Sequence, residues 1–366
     1  MSDTAANILN WKIPKGRRIL VVSDIHGNLP YLKGLLRQLD FSDKDELVID
    51  GDFLEKGEES LNTLQYIMQL SRRGNIHTIC GNCDGWAGIF RPDRSPEMDE
   101  HTFDYVLSRK RGLLWDMMNA SGVDPFELEC LGDIKALLWR RFRPEWEFLA
   151  ALPHAIETEK FVFAHAGMSD DKPLRQHQPH ELYKVDFFLK SGRRFKKWVI
   201  VGHEPVVLYG ENKVCANPII DRESRIISID GGCVLKDDGQ LNALIIPDSE
   251  SEDFSFAAYD PFPTAVALDD QRESLRSYYI RWGDSSVQVL KRGEEFSRCR
   301  HVRTGYEMDI LTKYLFSGGE YCDCNDCTDY LLPVKAGDEL RIVERTSNGV
   351  FAKLNGVSGW YGGRIK

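Results

Sequence analysis

A layered α/β fold with a helical insertion, followed by a smaller all-β module, is what the sequence predicts, and three observations carry the prediction. Short apolar, largely β-branched runs end abruptly in polar or glycine residues at "RRILVVSD" (17–24), "DELVIDGD" (45–52), "NIHTICGN" (75–82), "KFVFAHAG" (160–167), "KWVIVGHE" (197–204) and "RIISIDGG" (225–232). Helical stretches such as "LPYLKGLLRQLD" and "SLNTLQYIMQLSRRG" separate the first three. Together these describe strands buried on both faces between helices. Beyond residue 272 the pattern changes to short alternating runs broken by Gly-Asp, Asn-Gly and Ser-Gly turns.

The bulk properties narrow the function. A chain of 366 residues that is 42% hydrophobic can bury a substantial core in one large domain plus a smaller one. With 47 basic against 57 acidic residues and a net charge of −10, general adhesion to nucleic acid or anionic membrane is not expected. No apolar run approaches bilayer length, and "MSDTAANILNWKIPKGRR" lacks the apolar segment and cleavage site of a secretory signal, so a cytoplasmic location is expected. Nine cysteines, an odd number, fit reduced thiols better than a disulfide framework.

The carboxyl ends of the strands are where such sheets bind ligands, because loops converge there on a rigid base. Those ends carry Asp24 and His26, then Asp52, Asn82, His165 and His203. Any one of them is ordinary turn chemistry. Donors of metal-ligand type at the same end of five strands point to a metal centre. The set exceeds what one tetrahedral ion needs, whereas a bridging carboxylate lets it hold two divalent ions, with Mn²⁺ expected and Fe, Zn or Mg compatible. A bridged pair suits phosphate-ester hydrolysis.

The motifs "SDIHGN", "IDGDFLEKG", "CGNCDG", "FAHAGM" and "VGHEPV", in that order, resemble the calcineurin-like metallophosphoesterase superfamily. Within it, "SDIHGN", "HAG", "GHEP" and "IDGGCVLKDDGQLNALII" resemble the phosphoprotein phosphatase (PPP) family, above all its bacterial members and the symmetrical diadenosine tetraphosphate hydrolases. The resemblance covers residues 17–247 and implies an α/β/β/α β-sandwich. It also implies that Asp24 and His26 bind one metal, that Asp52 bridges, and that Asn82, His165 and His203 complete a second site. Glycines 27, 51 and 81 then let the backbone pass close to the ions.

Lys56 stands where the PPP pattern has a phosphate-binding arginine, Cys83 where it has a histidine acid, and Glu55 where it has the aspartate that orients that acid. An arginine expected near 184 is replaced by Lys184-Val185, leaving Lys184, Arg193 and Arg194 as candidates. The function implied first is a serine/threonine protein phosphatase acting through metal-bridging hydroxide on phosphomonoesters. "GNCD" also occurs in small phosphodiesterases of the superfamily, so a nucleotide hydrolase or phosphodiesterase is the alternative. A phosphatase-like binding protein is the non-enzymatic one. Expected partners are a phosphoprotein, nucleotide or other phosphorylated small molecule.

The expected organisation is a catalytic domain over 1–248 with a helical cap inserted at 85–150, a linker or strap at 249–272, and a β domain at 273–366. In the cap, "LLWRRFR" reads as a helix packing its Trp and Phe inward with its arginines solvated. "GDELRIVE" and "GVSGWY" in the tail resemble a bacterial SH3-like barrel, which implies a peptide ligand. In "YCDCNDC", Cys324 and Cys327 form a C-x-x-C that Cys322, Cys299 and His301 could complete as a zinc site. Their spacing fits no zinc-ribbon pattern, so metal-free loop cysteines are expected.

Overall fold

The structure is a computed structural model that describes residues 5–91 and 96–366, with the side chains of 96–98 excluded. Residues 92–95, inside the expected cap, lie outside the described residues. The chain divides into two compact units. One comprises Met1–Glu204, Pro218–Leu235 and Gln240–Asp260, and the other Pro205–Asn217, Lys236–Gly239 and Pro261–Lys366. No described helix is long and apolar enough to cross a membrane.

Two sheets build the first unit. In one, the strands Ile19–Val22, Glu46–Asp50 and Ile76–Ile79 run parallel, with Leu241–Ile246 and Ser255–Tyr259 added antiparallel at the other side. The other contains the parallel run Phe161–Phe163, Trp198–Val201 and Ile226–Ser228, flanked by Ile8–Asn10, Ala155–Glu157 and Ile219–Asp221.

Alternation along each strand decides what the sheets pack against. Ile19, Val21 and Val48 from the first sheet meet Phe161, Phe163, Trp198 and Ile200 from the second in a buried layer. The intervening residues Leu20, Val22, Leu47 and Ile49 face outward onto the helices Leu29–Gln38 and Ser60–Ser71, with Leu32, Leu35, Leu64 and Ile67. On the far side Val162, Val199 and Val201 pack with Leu174, Leu182 and Phe188 from short helical turns. Each fully buried aromatic or branched side chain contributes roughly 2–3 kcal/mol. This is the expected layered α/β sandwich, with one outer layer reduced to single turns.

The insertion is helical over Trp86–Ile89, Pro96–Arg109, Leu113–Ala120, Gly132–Arg141 and Arg143–Ala151. Trp146 is fully buried and stacks on Trp139 at 5.3 Å, and Phe142 is buried, while Arg140, Arg141 and Arg143 are exposed. Segment 249–272, expected as a linker, carries two strands. Ser255–Tyr259 joins the first sheet, and Thr264–Val266 pairs with Glu339–Thr346.

The second unit is all-β but differs from the SH3-like expectation. The meander Glu339–Thr346, Gly349–Leu354, Val357–Tyr361 lies in a five-stranded sheet whose end strands, Thr264–Val266 and Val214–Cys215, do not pair with each other. A separate four-stranded sheet, Ser286–Lys291, Phe296–His301, Glu307–Leu311 and Tyr321–Asp323, has its own core around Val287, Cys299, Met308 and Ile310. Two open sheets, each with its own core, and a two-stranded pair of Tyr279–Ile280 with Cys327–Thr328 stand in place of one closed barrel, so the implied SH3 peptide ligand has no support.

Candidate metal centre

Every strand that runs parallel at the centre of the two sheets ends in a loop that turns at once. Asp24, His26, Asp52 and His203 adopt left-handed backbone conformations, with φ of 53°, 50°, 49° and 66°. Each such non-glycine residue costs about 1–2 kcal/mol. The loops hold that strain by bonding one another. The Asp24 N–H donates to the Gly51 carbonyl (3.1 Å), His26 to Asp52 (2.9 Å) and Gly202 to His165 (2.8 Å). A Cβ on Gly51, itself at φ 79°, would stand 2.7 Å from His165 Nδ1 and 2.8 Å from the Gly81 backbone, so only glycine lets these loops converge.

The convergence makes two overlapping triads. Donor atoms of Asp52, His165 and His203 lie within 4.8 Å of one another, as do those of His26, Asp52 and Cys83. Asp52 belongs to both. Its Oδ1 is 3.3 Å from His165 Nε2 and accepts the Cys83 N–H at 2.8 Å. Asp24 Oδ1 lies 3.8 Å from His26 Nε2, and its Oδ2 accepts the His203 N–H at 3.0 Å. The backbone carbonyl of Asp50 lies 2.8 Å from His165 Nδ1, and that of Leu54 lies 3.2 Å from His26 Nδ1. Those carbonyls favour protonation at Nδ1 and leave each Nε2 available as a ligand atom.

The donor set fits divalent ions. Asp24 Oδ1 and Asn82 Oδ1 are buried with no hydrogen-bond donor, an arrangement that costs free energy unless a cation completes it. The electrostatics agree. Burial pushes the Asp24 carboxyl well above its ordinary range, and the charges of Asp230 and Asp52 add to it. Burial would raise Asp52 too, but the His165 charge and hydrogen bond, the His26 imidazole and the Cys83 N–H outweigh it and hold the carboxyl far below normal. His165 is driven up by Asp52 and Asp24 against its burial. His203 is lowered to about 4 by burial and by the charge of His165. His165 thus sits among buried carboxylates, Asp52 and Asp24, whose negative charge a divalent cation would balance.

Residues 17–230 match the profile described as Calcineurin-like phosphoesterase. The chain belongs to that family. It is 31% identical over 150 residues to a symmetrical bis(5′-nucleosyl)-tetraphosphatase of Buchnera aphidicola, covering 39% of this chain and 51% of that one. The chain spans about half the length of the curated relatives of this kind that it matches. It is also 23% identical over 270 residues to the asymmetrical bis(5′-nucleosyl)-tetraphosphatase PrpE of Oceanobacillus iheyensis, covering 67% of this chain and 94% of the relative. A solved putative diadenosine tetraphosphatase is similar at 20% identity and a TM-score of 0.44, covering 70% of this chain and 99% of that one.

Asp84 is a support that sequence reasoning did not assign. Its fully buried carboxylate accepts the backbone N–H groups of Asp52 (2.7 Å), Gly81 (2.8 Å) and Leu54 (3.1 Å), clamping together the loops that carry Asp52 and Asn82. The only cue for it is its position two residues after Asn82, at a turn.

On the substrate side, Lys56, at φ 67°, lines a cavity of about 380 Å³ together with Asn82 and Cys83. Asn82 Nδ2 donates to Cys83 Sγ at 3.3 Å. Burial and the Asp52 charge push the Cys83 thiol well above its usual range. Glu55 sits elsewhere than the resemblance implies. Its Oε1 accepts the Leu113 N–H at 2.8 Å and its Oε2 the Tyr105 hydroxyl at 3.4 Å, and the Trp86 side chain also bonds to the carboxylate. All three partners are cap residues, so Glu55 is engaged there and not with position 83.

The other expected cations are similarly committed. Lys184 Nζ lies 3.7 Å from Asp186, which also lies 3.5 Å from His203. Arg193 donates to the Met168 carbonyl, and Arg194 pairs with Glu223 on the surface. In the second unit His301 bonds with Thr304 and the Asp284 carbonyl, and among the described residues Cys299, Cys322, Cys324, Cys327 and His301 form no three-donor cluster.

Proposed function

We propose that this chain is a two-metal phosphoesterase acting on nucleotide-type phosphoanhydrides. The observation that carries the choice of substrate class is the placement of Glu55. An alkoxide such as that of serine leaves phosphorus slowly without a general acid, and an imidazole with an orienting carboxylate is the usual provision. Here position 83 is a thiol and the neighbouring carboxylate belongs to the cap. Phosphate and aryl leaving groups of low pKa need no such help. The names of the curated relatives support the same class. The serine/threonine phosphoprotein reading remains second, resting on "HAG", "GHEP" and the closing strand motif.

Asp24, His26, Asp52, Asn82, His165 and His203 would hold the ions, with Cys83 adjacent to the His26–Asp52 pair. Bound ions would supply an activated water and neutralise phosphoryl oxygens. The protein's own part is to fix the donors on strand ends, to place the Lys56 ammonium against the phosphate as a point charge, and to direct the Asn82 amide N–H at a phosphoryl oxygen. The test is a panel on Mn²⁺-loaded protein: diadenosine tetraphosphate, a 2′,3′-cyclic nucleotide, mono- and bis-p-nitrophenyl phosphate, and a phosphoserine peptide. Turnover of diadenosine tetraphosphate well above the peptide is expected. Preference for the peptide would favour the second reading, and inertness on every substrate would overturn both.

A further inference from the structure

The inference rests on the phosphoesterase reading and concerns the leaving-group side of the same site. The open cavity lined by Lys56, Asn82 and Cys83 is lined also by Trp86, Ile89, His101, Thr102 and Tyr105 of the cap. At about 380 Å³ it falls in the size range of small-ligand pockets. The Trp86 and Tyr105 rings lie 6.4 Å apart, tilted by 44°, and no carboxylate lines the cavity among the described residues. The rings are held in register with the phosphate end, because Glu55, adjacent in the chain to Lys56, binds Trp86, the Tyr105 hydroxyl and the Leu113 N–H. A phosphoryl group at Lys56 and Asn82 therefore has an aromatic-walled space beside it.

We propose that this space is a specificity subsite for the nucleobase of the substrate, with Tyr105 and Trp86 as its contact residues. A planar ring gains from aromatic walls irrespective of its hydrogen-bonding edge, whereas an extended phosphopeptide presents no planar group of that kind. The subsite then selects for nucleosides as a class and discriminates weakly among bases.

Calorimetric titration of the Mn²⁺-loaded full chain with AMP, ribose 5-phosphate and inorganic phosphate tests this. AMP should bind about tenfold more tightly than ribose 5-phosphate, the size of one ring-stacking contact. Tyr105→Ala should bring AMP down to the ribose 5-phosphate level with little change for inorganic phosphate, and Tyr105→Phe should retain the preference. Thr102→Phe, which fills the same cavity from a half-buried position, should remove the preference without removing a ring, and so covers the case in which Tyr105→Ala unfolds. Equal affinity for AMP and ribose 5-phosphate in the unmodified chain would overturn the subsite and leave the phosphoesterase reading standing. Failure of all three to bind, with no ester hydrolysed, would overturn both.

Discussion

In the cradle, donor side chains hang from the ends of strands whose residues are almost wholly buried, and the turning loops are bonded to one another by backbone N–H groups and by Asp84. In the cap, the ring walls stand on helices whose Leu113, Met117, Leu138, Trp146 and Leu149 join the core of Leu61, Leu64 and Ile67, with side-chain bonds added from Glu55 to Leu113 and Tyr105, Asp116 to the Leu61 N–H, and Gln65 to Glu145. The loops of the cradle are cross-bonded through their backbone, while the cap is held by side chains, apolar ones in its core and a few polar ones at its edge. Two functional requirements differ in the same way. Chemistry at phosphorus needs donors fixed to fractions of an ångström, whereas selection of a leaving group tolerates, and product release requires, a wall that can move.

If that contrast is right, changes in the cradle affect turnover and metal content together, and changes in the cap affect substrate choice. The largest effect is expected for Asp52→Asn. Asp52 belongs to both triads, so losing its charge weakens both ions at once. Turnover should fall by about a thousandfold or more, with less metal per chain by elemental analysis. Near-normal rates with full metal content would break the assignment of Asp52 as the bridge.

Asp84→Ala ranks second. It leaves every donor in place but removes the acceptor of three backbone N–H groups. Because the residue touches no proposed substrate, its expected effect is a loss of metal affinity of about 10- to 100-fold, rescued in part by raising Mn²⁺. A fall in rate at saturating metal with unchanged affinity would mean that Asp84 acts in the reaction and not in holding the loops.

How much was legible in the sequence follows the same division. That Asp24, Asp52 and His165 lie at strand ends could be read because a buried strand declares itself by a run of apolar residues, and whatever follows it must lie at the sheet's end. Asp84 could not be read, since its role is set by N–H groups 30 or more residues away in sequence at Leu54 and Asp52. Motif position places Glu55 with its neighbours, whereas the partners of its carboxylate, Leu113, Tyr105 and Trp86, lie in the insertion that begins after residue 85. In the second unit, alternation and turn residues gave strands correctly, but strand pairing across two sheets is not encoded in local pattern, and the barrel expectation failed there.

Cys83→His addresses the boundary between the regions, because position 83 touches the cradle through Asp52 and lines the cap cavity. An imidazole there restores an acid but finds Glu55 engaged, so turnover of a phosphoserine peptide, whose alkoxide needs protonation, relative to diadenosine tetraphosphate should rise only about tenfold. The double change Cys83→His with Tyr105→Phe, which releases one bond on Glu55, should raise it further. An unchanged ratio in both would remove position 83 from leaving-group protonation.

The smallest and most specific expectation concerns pH and the attachment of the cap. Glu55 is buried, and its carboxyl is raised from 4.5 to about 7, by burial first, while the Leu113 N–H, Trp86, Tyr105 and the Lys56 charge act in the opposite direction. A carboxyl raised on folding binds its proton more tightly in the folded chain, so its favourable contribution is complete below about pH 4.5 and is lost as pH rises through 7. The loss is on the order of 3 kcal/mol across that window. Glu55→Gln keeps an oxygen for the Leu113 N–H and carries no proton equilibrium, so its stability should fall less than that of the unmodified chain between pH 5 and pH 8. Asp116, raised to about 6 chiefly by its burial, adds a decline in the same direction to both chains, and the difference between them isolates Glu55. Amide exchange at Leu113 and neighbouring cap positions should quicken with pH in the unmodified chain more than in the variant. Equal pH slopes in the two proteins would mean that the Glu55 carboxyl does not contribute to holding the cap.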